Sequence, residues 1–230
     1  MDFSGAISRP FSDLKKLSIG AALYMVPVLA LIPLLILIVP VAGMVAGMFA
    51  YGYVLACGAT AMKKVKKLPE WTNWADLFVK GLVAVIIAII YFIPAIVILG
   101  LVVGTTILAS LTVDNLAAVI GSAGLGAIIA LLAGMLTAYV LPVALLMYVS
   151  ENKFGSAFRL GDVFKKAFTG TYFAAWLLSI VVGIVINIVS MTLSIVLALT
   201  VVLPIVIAGY ATITSGVIGM TLLGEAVGSK

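Results

Sequence analysis

Three long apolar blocks, at about 19–62, 81–149 and 171–223, alternate with short segments that carry nearly all of the charge. Only Asp114 interrupts the second block. A helix crosses the hydrocarbon core with roughly 20 apolar residues. The first block is therefore two crossings long, with a tight turn predicted near Val39-Pro40. The second holds two crossings and a loop over about 105–122 that contains Asp114. The third holds two crossings and a loop around 187–194. The pattern predicts an all-α membrane protein with six transmembrane helices arranged as three hairpins.

The segment before each hairpin reads as a short amphipathic helix lying in the headgroup layer, aromatic on one face and basic on the other. Phe3, Ile7, Phe11, Leu14 and Leu17 mark the first; Trp71, Trp74, Leu77 and Phe78 the second; Leu160, Val163, Phe164 and Phe168 the third. Each also carries an acid followed three or four residues on by a lysine: Asp13 and Lys16, Asp76 and Lys80, Asp162 and Lys166. That spacing supports a helix. A proline marks each return helix, at Pro40, Pro142 and Pro204. These features predict one integral membrane domain over 1–230, built from three repeat-like units at about 3–62, 70–149 and 156–223.

Charge sets the orientation. All 13 lysines and arginines fall in segments on one side of the predicted bundle, and the other side has only Asp114. The positive-inside rule puts both termini in the cytoplasm of a cell-membrane protein. The basic pI of 9.3 then reflects contact with anionic headgroups rather than nucleic acid. No cleavable leader is expected, since Asp2 follows Met1 and the first apolar run starts near Ile19.

Composition narrows the chemistry. The chain has 65% hydrophobic and 9% charged residues and no histidine, against about 25% charged in a soluble domain. Cys57 is the single cysteine, which removes disulfide frameworks and Cys/His zinc sites. No catalytic, cofactor or metal residues are predicted. The cytoplasmic carboxylates Glu70, Asp76, Glu151 and Asp162 lack a companion nucleophile or phosphate-cradling motif. No ionisable residue falls within a predicted span, which argues against proton-driven transport. Asn187 is the most polar side chain near one, expected at the outer end of the fifth helix. The return helices share faces of small residues, represented by Gly47, Gly134 and Ser215, that either pack helices together or line an axis.

At Leu68-Pro69-Glu70-Trp71, followed by Trp74, Asp76-Leu77-Phe78 and Gly81, the chain resembles an uncharacterised, mainly archaeal family of integral membrane proteins, a domain of unknown function. Gly52-Tyr53, the lysines from Lys63 to Lys67, Tyr91-Phe92-Ile93-Pro94, Ser156-Ala157-Phe158-Arg159 and Asp162-Val163 extend the likeness over nearly the whole chain. The resemblance implies the membrane fold and an archaeal source, and brings no activity with it.

Three functional readings follow. The first is a passive conduit or carrier for a small neutral or amphiphilic solute, as monomer or homo-oligomer. The second is a non-transporting scaffold that organises a complex or local lipid, and the third, ranked last, a lipid-modifying enzyme. The lipid bilayer is the expected partner in all three.

Overall fold

The computed structural model describes residues 2–26, 39–112, 116–197, 200 and 202–228. Their regular structure is helical. Eight α-helices are described: α1 (Phe3–Ser8), α2 (Leu14–Met25), α3 (Val39–Met62), α4 (Trp74–Thr112), α5 (Leu116–Glu151), α6 (Leu160–Ala167), α7 (Gly170–Val196) and α8 (Val202–Gly228). Short 3-10 segments lie at Arg9–Ser12 and Phe154–Phe158. Among the described residues five helices, α3, α4, α5, α7 and α8, are long and apolar enough to cross a membrane. Of these, α4, α5 and α7 present Ile89, Leu101, Leu131, Val185 and Ile188 in the open. Apolar exposure on this scale marks a membrane surface.

Local chemistry sets the helix ends. Pro10 lacks the N–H that would continue α1, so the chain tightens into a 3-10 turn at Arg9. The Asp13 carboxylate then accepts from the Lys16 backbone N–H and starts α2. Asn73 performs the same task for α4 by accepting from Asp76 N–H, and Thr169 for α7 by accepting from Tyr172 N–H. In α6, Asp162 sits in the first turn and Lys165 and Lys166 in the last, complementing the helix dipole at both ends. Helix α3 ends in a Schellman turn: Val65 N–H donates to the Thr60 carbonyl and Lys64 N–H to the Ala61 carbonyl. Lys64 occupies its left-handed position, with φ 57°.

Two compact units are built from these helices. One comprises residues 1–84 and 143–230, the other residues 85–142. The core of the first joins Leu17 and Ala21 of α2, Tyr53, Val54 and Cys57 of α3, Ile213 and Val217 of α8, and Leu68, Trp71 and Leu77. Glycines let the helices approach. A Cβ on Gly52 would overlap the Leu77 carbonyl, and one on Gly81 the Met48 carbonyl, so α3 and the start of α4 cross backbone to backbone. Gly224 of α8 meets the Gly58 carbonyl of α3 in the same way. In the second unit α4 and α5 run together. A Cβ on Gly126 would overlap the Val102 side chain, and Thr137 Oγ1 donates to the Ala133 carbonyl of its own helix at 2.9 Å.

Several expected boundaries move. Val39 and Pro40 open α3 rather than form a turn, and the rest of the first predicted crossing, 27–38, lies outside the described residues. So does Asp114. Most of 105–122, expected as a loop, belongs to α4 and α5, and 187–194 belongs to α7. Asn187 is thus an interior residue whose amide donates back to the Gly183 carbonyl at 2.8 Å. The second amphipathic segment is no separate helix, because Trp74 begins the uninterrupted α4. In the first segment, Asp13 splits the expected stretch into α1 and α2.

Candidate functional site

Arg9 is the most heavily bonded side chain at the basic end of the first unit. It is 5% exposed and faces the carboxyl end of α3, where helix carbonyls carry partial negative charge. Nη1 donates to the Cys57 carbonyl and to Thr221 Oγ1, both at 3.0 Å. Nη2 donates to Thr60 Oγ1 at 2.6 Å and to the carbonyls of Val65 and Lys67. Nε donates to the Lys66 carbonyl at 3.2 Å. Burial pulls the guanidinium below its ordinary range, and Cys57, Tyr53 and Glu225 act against that pull. One side chain thereby ties α3, the 63–67 turn and α8 to the N-terminal segment.

Lys16 organises the next stretch. Its Nζ sits 2.7 Å from Glu70 Oε1 and 3.2 Å from Asp13 Oδ2, and donates to the Leu68 carbonyl at 3.3 Å. The Lys16 carbonyl accepts from Trp71 Nε1 at 3.0 Å. Tyr53 hydroxyl donates to the Pro69 carbonyl at 3.2 Å. Leu68, Pro69, Glu70 and Trp71 are each held by Lys16 or Tyr53, so the block docks as a plug against α2 and α3. The Lys16 bond holds the Glu70 carboxyl below its ordinary value. The Lys16 backbone N–H does the same for Asp13.

Two cavities bordered by charged and polar side chains open beside these clasps. The larger, about 880 Å³, is bounded by Ser8, Arg9 and Ser12, by Lys64 and Lys66, and by Glu225. Asp2 N–H donates to Glu225 Oε2 at 2.7 Å there, and Lys66 Nζ lies 3.7 Å from Asp2. The smaller, about 260 Å³, gathers Thr60, Lys63, Glu70, Asn73, Asp76 and Lys80. Lys80 holds Asp76 at 2.5 Å. An acid–base catalyst needs a pKa near the working pH, and pairing with lysine moves Glu70 the other way. Among the described residues no group of three or more His, Cys, Asp or Glu is placed to hold a metal ion.

A family model described as "Protein of unknown function (DUF4013)" matches residues 34–195, more than half of the chain. The chain belongs to the DUF4013 family. No curated protein and no solved structure matches it. The DUF4013 match takes in Gly52, the 68–71 block and Gly81, whereas Arg9, Lys16 and α8 lie outside it.

The other singled-out residues scatter. Asp13 caps α2 and pairs with Lys16, Asp76 pairs with Lys80, but Asp162 lies 3.7 Å from Arg159. Lys166 donates instead to the Val227 carbonyl near the end of α8. Glu151 also pairs with Arg159, while Glu70 and Asp76 border one cavity. Gly47 and Ser215 belong to the first unit and Gly134 to the second. A Cβ would meet nothing within 4 Å at Gly47 or at Gly134. Ser215 Oγ donates to the Thr212 carbonyl. Sequence reasoning read Arg9 only as an orientation charge and passed over Thr60, Thr221 and Glu225. The Arg9-Pro10 step, which ends α1 and turns the guanidinium inward, was the available signal.

Proposed function

We propose that this DUF4013 protein is a non-transporting membrane scaffold that organises lipid at the cytoplasmic face. One observation carries the reading. From Ala50 onward, the small face of α3 that a conduit would need as a lumen wall is filled: Ala50, Val54, Cys57 and Ala61 are buried, and α3 meets α8 backbone to backbone at Gly58 and Gly224. The basic residues at the helix ends support an orientation with both termini in the cytoplasm. In this reading the chain crosses the membrane six times, and α1 and α6 lie in the headgroup layer of the cell membrane. The three acid–lysine segments descend from one repeated unit in the same reading. Its partners are anionic headgroups and, in an oligomer, further copies of the chain; it has no catalytic role.

A conduit for an apolar or amphiphilic solute is the second reading. An apolar groove of about 560 Å³ in the 85–142 unit, lined by Phe92, Ala130 and Gly134 among others, favours it. Stopped-flow swelling of proteoliposomes with water, glycerol, urea and small amphiphiles separates the two. The scaffold reading expects no flux above empty liposomes. Excess flux of one solute, reduced by Gly134→Trp, would replace it with the conduit.

A further inference from the structure

The amphipathic N-terminal segment lies between two cavities, one bordered by charged side chains and the other almost wholly apolar. Its polar side, with Ser8, Arg9 and Ser12, lines the 880 Å³ cavity. Its apolar side, with Phe3 and Ile7, lines an apolar groove of about 770 Å³ along the α7–α8 seam. Phe11 belongs to both. The groove runs along α7 from Val181 to Leu193 and along α8 from Val206 to Ile218. Those stretches are each about 18 Å long at 1.5 Å per residue, close to the ~15 Å depth of one leaflet. The Tyr210 hydroxyl at its edge is engaged with Ser18 Oγ at 2.6 Å.

We propose that an anionic phospholipid occupies this pair of cavities, one hydrocarbon chain in the α7–α8 groove and its headgroup phosphate at Lys64 and Lys66. The inference rests on the scaffold reading and names its ligand. Charge complementarity supports it: Arg9, Lys64 and Lys66 outnumber Asp2 and Glu225 around the 880 Å³ cavity. Arg9 is spent on protein acceptors, and Lys66 is 3.7 Å from Asp2. Lys64 makes no ion pair among the described residues and borders the cavity from a left-handed backbone position that glycine ordinarily takes.

The test is the thermal midpoint of the full-length protein in detergent. It is titrated with phosphatidylglycerol, with phosphatidylcholine of the same chains, and with inorganic phosphate. Phosphatidylglycerol should raise the midpoint at least tenfold more effectively, by concentration, than phosphatidylcholine. Lys64→Ala/Lys66→Ala should remove that preference, and Val185→Trp, a substitution at an open position in the groove, should weaken both lipids. Equal effects of the two lipids with neither variant altering them would overturn the site. So would a phosphate effect matching that of phosphatidylglycerol and indifferent to Val185→Trp, which would assign a free-anion pocket instead. The titration reads binding without a sealed bilayer, so its failure is distinguishable from failure of the scaffold reading, which solute flux decides.

Discussion

The indole of Trp71 lies flat against the ring of Tyr53, with centroids 3.9 Å apart and planes 8° apart. Its Nε1–H reaches the Lys16 carbonyl on the far side. One side chain therefore joins α2, α3 and the 68–71 block. Removing a buried aromatic of this size costs about 3–5 kcal/mol, so Trp71→Ala should lower equilibrium stability in mixed micelles by that amount. Trp71→Phe keeps the stack and loses the N–H bond, and should cost about 1–3 kcal/mol. Equal losses for the two variants would mean the stack contributes little.

Arg9 bonds the carbonyls of Cys57, Val65, Lys66 and Lys67 at once, the first of them buried. An orphaned buried acceptor costs about 1–3 kcal/mol, so Arg9→Ala should lose at least ~3 kcal/mol. Lysine carries three donors against arginine's five, and Arg9→Lys should recover only part of the loss. Trypsin should also cut faster between Lys63 and Lys67 in both variants. Unchanged cleavage would show that the 63–67 turn holds without the guanidinium.

The helix crossings separate two kinds of glycine. Gly52→Ala and Gly81→Ala would drive a methyl into a facing backbone carbonyl, and overpacking of that kind costs about 1–3 kcal/mol or more. Gly47→Ala and Gly134→Ala enter open space and should be neutral or stabilising by up to about 1 kcal/mol through helix propensity. Unfolding of the four single variants side by side checks the contrast, and a uniform effect would contradict the close crossings.

The Lys16–Glu70 pair gives stability a defined pH dependence. The Glu70 carboxyl is held below its ordinary value of 4.5, first by its bond from Lys16. Its contribution is complete above 4.5 and is lost as pH falls through the depressed value. Lys16 is held above 10.5, first by Glu70; its contribution is complete below 10.5 and is lost as pH rises through the elevated value. The thermal midpoints of wild type and Glu70→Gln should thus differ at neutral pH and converge in acid. A constant gap from pH 7 down through the acid range would remove Glu70 from the account.

The sequence revealed the membrane class because apolar length and lysine placement are local properties. It also pointed to the 68–71 block and Gly81, and their packing gives a physical reason for that pattern. The helix ends were misplaced where polar residues mimic a loop: 105–112 and 187–194 contain no charge, and Thr105, Thr106, Ser110, Asn187 and Thr192 bond back to carbonyls of their own helices, which continue through them. Gly58 and Gly224 looked no different from the other small residues, since their pairing depends on which helices become neighbours. Arg9 resembled the other orientation charges because all its partners lie far along the chain.

That distance bears on how the protein is made. The Arg9–Thr221 bond joins residues 212 positions apart, so Arg9 has left the ribosome long before its partner is made. The guanidinium can reach the carbonyls near the end of α3 early, but its contact with Thr221 waits until α8 is inserted. Full closure of the segment around Arg9 therefore waits on the insertion of α8. Nascent chains that stop short of α8 should leave their first residues open to quality-control proteases.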